Sequence, residues 1–176
     1  MVEDFEGFVR ARSTALARTA YLLTGDRHQA EDLLQDTLAR VAERWTAVSR
    51  GGDPEPYVRR MLYTRAIDGW RGRQRRAALD TTEARQRPEL RGRPDDADTV
   101  TRRLVLRDAL ARLTQRQRAV LVLRFYEDLT EVQTAEALHC SPNTVKSQTR
   151  HALERLRQLA PELADLFGPG TPVEAR

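Results

Sequence analysis

Several residue types are scarce in this chain of 176 residues, and each scarcity excludes something. There is one cysteine, Cys140, so no disulfide can form within the chain and a thiolate zinc site lacks ligands. The three histidines, His28, His139 and His151, show no metal-ligand spacing. No metal and no other cofactor is therefore expected. No apolar run approaches the roughly 20 residues of a spanning helix, so no membrane insertion is expected. The opening MVEDFEGFVRARS has no apolar signal core, which argues against export. A reducing cytoplasm fits these absences. Aromatic residues make up 6%, and β-branched runs are almost missing, which points to an all-α protein. Lysine is nearly absent as well: of 30 basic residues, 29 are Arg and one is Lys146. That skew most simply reflects G+C-rich codon usage.

What is present is a series of amphipathic helical patterns. Phe5, Phe8, Val9, Leu16, Ala20 and Leu23 give a first helix over about 4–23, broken at Thr24-Gly25-Asp26. Asp26 caps a second, with Gln29 placed as its capping-box partner. Ala30, Leu33, Leu34, Leu38, Val41, Ala42 and Trp45 then follow the i, i+3, i+4, i+7 rule to about residue 45. Five acids against three Arg give this helix a net charge of −2. Residues 49–56, SRGGDPEP, read as a loop by their Gly and Pro. A third helix over about 55–76 carries Val58, Met61, Leu62, Ala66 and Gly69 inward. From Arg59 to Arg76 it holds seven Arg and one Asp, a local charge of +6.

Residues 77–100 lose all periodicity and mix Pro, Gly and charge, the composition of a flexible linker. Beyond it, residues 101–113 resume a helical pattern. Thr114 with Gln117 and Thr130 with Gln133 cap two more helices, to about 126 and to 138. His139-Cys140-Ser141 is then a three-residue turn into a last helix. The expected organisation is two small helical domains, 1–76 and 101–167, joined by the linker 77–100 and followed by a disordered tail, 168–176.

Two short helices joined by a tight turn, the second polar in front, form a helix-turn-helix pattern. In that motif the second helix enters the major groove and its first residues meet base edges. Asn143, Thr144, Lys146, Ser147 and Arg150 supply donors and acceptors there, while Val145, Thr149, Ala152, Leu153 and Leu156 face back. A solvated polar face is the ordinary alternative. The turn favours positive φ, which Gly tolerates and His139 adopts only at a cost.

Arg60, Thr64, Arg71 and Arg75 share one face of the third helix, with Tyr63 and Trp70 near its edge. Positive charge beside aromatic rings suits unpaired nucleic acid, and an Arg-rich solvated face is the alternative. Asp32, Gln35 and Asp36 cluster opposite the apolar stripe of the second helix. They suit docking on a basic protein surface, or simple solvation.

Three segments carry a family resemblance: AEDLLQDTLARVAERW, YVRRMLYTRAIDGWRGRQRR and LTQRQRAVLVLRFYEDLTEVQTAEALHCSPNTVKSQTRHALERLR. In this order they resemble a bacterial extracytoplasmic-function (group IV, sigma-70 family) RNA polymerase sigma factor of the actinobacterial SigE-like subset, over about residues 5–160. The resemblance implies a region 2-like bundle of three or four helices and a region 4-like helix-turn-helix bundle. It implies that Asp32, Gln35 and Asp36 contact the β′ clamp helices of core RNA polymerase. It assigns Arg60, Tyr63, Thr64, Arg71, Arg75 and the 49–56 loop to recognition and opening of the −10 element. It assigns Asn143, Thr144, Lys146, Ser147, Arg150 and His151 to the −35 element. The β flap, promoter DNA and an anti-sigma factor are the further implied partners. No catalytic residue and no small-molecule substrate are implied. Thr64 stands where the family often has Asn, and His139 where it often has Gly. Gln148 and Thr149 replace the commoner Arg and bulky apolar residue.

Two rivals follow from the residues alone. A polymerase-independent helix-turn-helix regulator leaves the acidic and basic helices of the first half unexplained. A metal-dependent nuclease using Asp95, Asp96 and Asp98 needs rigid carboxylates, and these lie in the expected linker.

Overall fold

Asp4 starts the first helix, its carboxylate accepting the Gly7 N–H at 2.5 Å. The computed structural model describes residues 4–79 and 97–161, and only the backbone of 74–79, 97–100 and 103. Every regular element among the described residues is helical. The chain divides into two compact units, with the boundary after Arg85.

The first unit holds α1 (Phe5–Thr24), α2 (Arg27–Glu43), α3 (Trp45–Arg50) and α4 (Glu55–Leu79). Gly25 ends α1 at φ 72, and its N–H reaches the Tyr21 carbonyl at 2.8 Å. A left-handed residue here lets the chain turn at once into α2. Asp26 caps α2 by accepting from Gln29 N–H at 2.8 Å. The Asp26 N–H turns to Thr24 Oγ1 at 3.4 Å, so the expected capping box is only half made.

The core of this unit joins Phe8, Leu16 and Ala20 of α1, Ala30, Leu34, Leu38 and Val41 of α2, and Val58 and Leu62 of α4. Each large side chain so buried contributes about 1.5–3 kcal/mol. Trp45 closes one side, with its ring 5.3 Å from Phe5, edge-on, and 5.2 Å from Phe8. The expected loop 49–56 is shorter than its composition suggested, because α3 runs through Arg50 and α4 begins at Glu55. Pro56 sits in the first turn of α4, where its missing N–H breaks no helical hydrogen bond. Only 51–54 lie between the helices, with Gly52 at φ 109. Asp53 Oδ1 accepts the Glu55 N–H at 2.9 Å. The Glu55 carboxylate meets Arg12 of α1 at 3.0 Å and Arg59 at 2.8 Å, fixing where α4 begins.

The second unit holds α5 (Ala97–Ala111), α6 (Gln115–Leu121), a π-helical turn (Val122–Tyr126), α7 (Glu131–Leu138) and α8 (Pro142–Leu159). Ala109, Leu113, Leu121, Ala152, Leu156 and Ala160 form its core, and Val120, Leu123 and Val145 are also buried. Both expected capping boxes, Thr114 with Gln117 and Thr130 with Gln133, are complete. A single helix to about 126 was expected from the periodicity. The structure widens its end instead: Glu127 N–H bonds to Val122 O at 2.9 Å, and Asp128 turns the chain at φ 52.

Helices also extend into the expected linker span 77–100. α4 continues through Ala77, Ala78 and Leu79, all strong helix formers, and α5 opens at Ala97. Residues 80–96, including Asp95 and Asp96, lie outside the described residues, as do the Asp98 side chain and the expected tail 168–176.

Candidate nucleic-acid interface

α8 is built from its cap upward. Ser141 Oγ accepts the Thr144 N–H at 3.1 Å and Pro142 occupies the first turn. The turn before it is set by His139, left-handed at φ 47 and ψ 54. His139 N–H bonds to Glu136 O at 3.1 Å and Cys140 N–H to Ala135 O at 3.0 Å, the paired bonds of a Schellman termination. His139 thus adopts the positive φ expected of that position.

Val145, Thr149, Ala152 and Leu156 are buried and hold the helix on the unit. Thr149 fits a buried position because its hydroxyl donates to Val145 O at 2.8 Å. On the other side Asn143, Lys146, Arg150 and His151 are exposed, and Thr144 and Ser147 are partly so. Ser147 is held by donating to Thr144 O at 3.1 Å. Lys146 Nζ lies 3.7 Å from the Glu131 carboxylate at the start of α7. The arrangement offers a rigid row of polar groups at the front of a helix whose back is anchored.

On α4 the expected face is only partly open. Arg60 is exposed, and Thr64 and Arg71 are partly buried. Tyr63 departs from the expectation: it is 6% exposed and belongs to the core, so it offers no open ring to a base. Tyr63 stands one turn before Ile67, which is also buried, so the two share an inward side of α4. Trp70 is partly buried, and its indole N–H meets no acceptor among the described residues. The side chain of Arg75 lies outside the described residues.

On α2, Asp32 and Gln35 are exposed, whereas Asp36 is engaged. Its Oδ1 meets Arg40 Nε at 3.3 Å, and its Oδ2 is ion-paired to Arg65 of α4. Sequence reasoning missed Arg65 and Glu131. Arg40 follows Asp36 by four, a spacing that could have been read, but neither Arg65 nor Glu131 has a spacing that signals its partner.

Family profiles match both units: sigma-70 region 2 over residues 8–76, and sigma-70 region 4 over residues 103–156. The RNA polymerase sigma-E factor of Streptomyces antibioticus is 38% identical over 157 residues, covering 89% of this chain and 84% of that protein. The chain belongs to the sigma-70 family of RNA polymerase sigma factors. The sigma factor is also 39% identical over 158 residues to the RNA polymerase sigma-E factor of Streptomyces coelicolor, covering 89% and 86% of the two chains. It is 35% identical over 155 residues to the ECF RNA polymerase sigma factor SigL of Mycobacterium tuberculosis H37Rv, covering 86% and 85%. These relatives place it in the actinobacterial extracytoplasmic-function group. Its fold resembles that of the sigma factor RpoE from Bartonella quintana, solved with the anti-sigma factor NepR. The TM-score is 0.67 at 23% identity, covering 91% of this chain and 98% of that one. Among the described residues, no helix of the sigma factor is long and apolar enough to cross a membrane, and no group of three His, Cys, Asp or Glu could hold a metal.

Proposed function

We propose that this sigma factor divides promoter recognition between its two units while α2 holds core RNA polymerase. α8 enters the major groove at the −35 element and reads it with Asn143, Thr144, Lys146, Ser147, Arg150 and His151. Arg60, Thr64, Arg71 and Arg75 of α4, with the turn at 51–54, engage the −10 element and help open it. Asp32 and Gln35 meet the β′ clamp helices, with Asp36 beside them, and the second unit meets the β flap. The domain roles follow the same division: 1–76 for polymerase and −10, 101–167 for −35, joined through 77–100. The protein works in the cytoplasm and performs no chemistry of its own. An anti-sigma factor is its proposed regulator, a reading supported by the complex of the Bartonella protein.

One observation carries this reading. The polar residues of α8 are exposed together on a helix whose opposite side is buried, so they can meet base edges without unfolding anything. Phosphate contacts then supply salt-dependent affinity and base contacts supply selectivity. Polymerase holds the two readers together, so neither has to bind tightly alone.

Transcription in vitro with purified core polymerase tests the division. Lys146→Ala with Arg150→Ala should lose promoter choice, at about 1–3 kcal/mol per lost base contact, and keep polymerase binding. Asp32→Ala with Gln35→Ala should lose polymerase binding first. Tight, specific promoter binding by the protein without polymerase would instead support a free-standing regulator.

A further inference from the structure

Glu131 is an acid in a place that the reading above would keep for positive charge. It opens α7, the first helix of the helix-turn-helix, and that helix crosses the DNA backbone in this motif. A carboxylate there repels approaching phosphates. Yet its side chain is only 25% exposed, and it faces Lys146 Nζ at 3.7 Å. Lys146 is the only lysine in the chain and stands mid-row on the front of α8, with 64% of its side chain exposed.

We propose that Glu131 is a specificity-determining residue for −35 recognition, acting by holding Lys146. This rests on the assignment of α8 to the −35 element. A free lysine is a flexible point charge that any phosphate attracts. Paired with Glu131, the ammonium is partly neutralised and its reach is confined to the front of α8. Non-specific DNA must then displace Glu131 and gains little in exchange. A base edge with strong acceptors, such as guanine O6 and N7, replaces the carboxylate as partner and repays the displacement. The pair thus weakens binding to all DNA and weakens it least at the matching site. Because Lys146 is exposed and the two charges stand 3.7 Å apart, the effect is modest, about two- to five-fold.

The test uses holoenzyme, reconstituted from core polymerase and the full chain, with promoter duplexes randomised over the −35 element. Enrichment is read by sequencing. Glu131→Gln should flatten the enrichment by about two- to five-fold. It should also tighten binding to a duplex with a scrambled −35 element and steepen the salt dependence by roughly one contact. Glu131→Asp, which keeps the charge, should retain most of the selectivity. In a Lys146→Ala background, Glu131→Gln should no longer change the enrichment. Equal enrichment by wild type and Glu131→Gln, or the same flattening with and without Lys146, overturns the proposal. A uniform loss of binding to every duplex does so too, since it marks Glu131 as merely structural. Failure of the wild-type holoenzyme to select any −35 sequence would instead overturn the assignment of α8.

Discussion

Asp36 of α2 is ion-paired to Arg65 of α4, and Arg40 holds its other carboxylate oxygen at 3.3 Å. One acid on the proposed polymerase face is therefore also a brace between two helices of the first unit. Its neighbours Asp32 and Gln35 carry no such duty and stand exposed. The three residues read alike on a helical wheel and differ in the folded chain.

That difference separates their variants. Asp36→Ala should destabilise the protein by about 1 kcal/mol, because it leaves Arg65, whose Nε is already buried without an acceptor, short of its partner. Asp32→Ala should stay within roughly 0.5 kcal/mol of wild type. Urea unfolding checks both, and a double-mutant cycle with Arg65→Ala isolates the pair. Equal stabilities for the two alanine variants would show that the brace does not matter.

Tyr63 should behave as a core residue. With 6% of its surface exposed, Tyr63→Ala should cost about 3 kcal/mol or more. Arg60→Ala, on the exposed side of the same helix, should leave stability nearly unchanged and weaken promoter opening. Thermal unfolding beside an open-complex assay distinguishes them. A Tyr63→Ala protein as stable as wild type would mean the ring is not part of the core.

The turn into α8 offers a change in the opposite direction. His139→Gly should stabilise the protein by about 0.5 kcal/mol, since glycine holds φ 47 without a Cβ clash and loses part of that gain to unfolded-state entropy. Val at the same position should destabilise by more than about 1 kcal/mol. The melting temperatures of the three proteins give the order. A glycine variant that melts below wild type would indicate that the His139 ring contributes more than its backbone costs.

Much of the architecture was legible before any coordinates. The apolar spacing of Ala30, Leu34, Leu38 and Val41 marked the buried side of α2, and all four are buried. Thr114 and Thr130 marked two helix starts and cap them. The polar front and apolar back of α8 were readable for the same reason. Each signal lies within one or two helical turns, where local geometry dictates which side chains share a face.

The interior of the candidate surfaces was not legible in that way. Composition placed a loop at 49–56 and a linker at 77–100, but helices extend into both. Periodicity could not show that α6 would widen into a π turn, because that depends on how its end meets the rest of the unit.

Sequence by itself determined the helical class, the caps, the turn into α8 and the family, all written in short-range patterns. Tertiary structure alone decided that Tyr63 turns inward, that Asp36 reaches Arg65 and that Glu131 faces Lys146. Those outcomes join side chains on different helices, and no repeat along one chain encodes a distance between two.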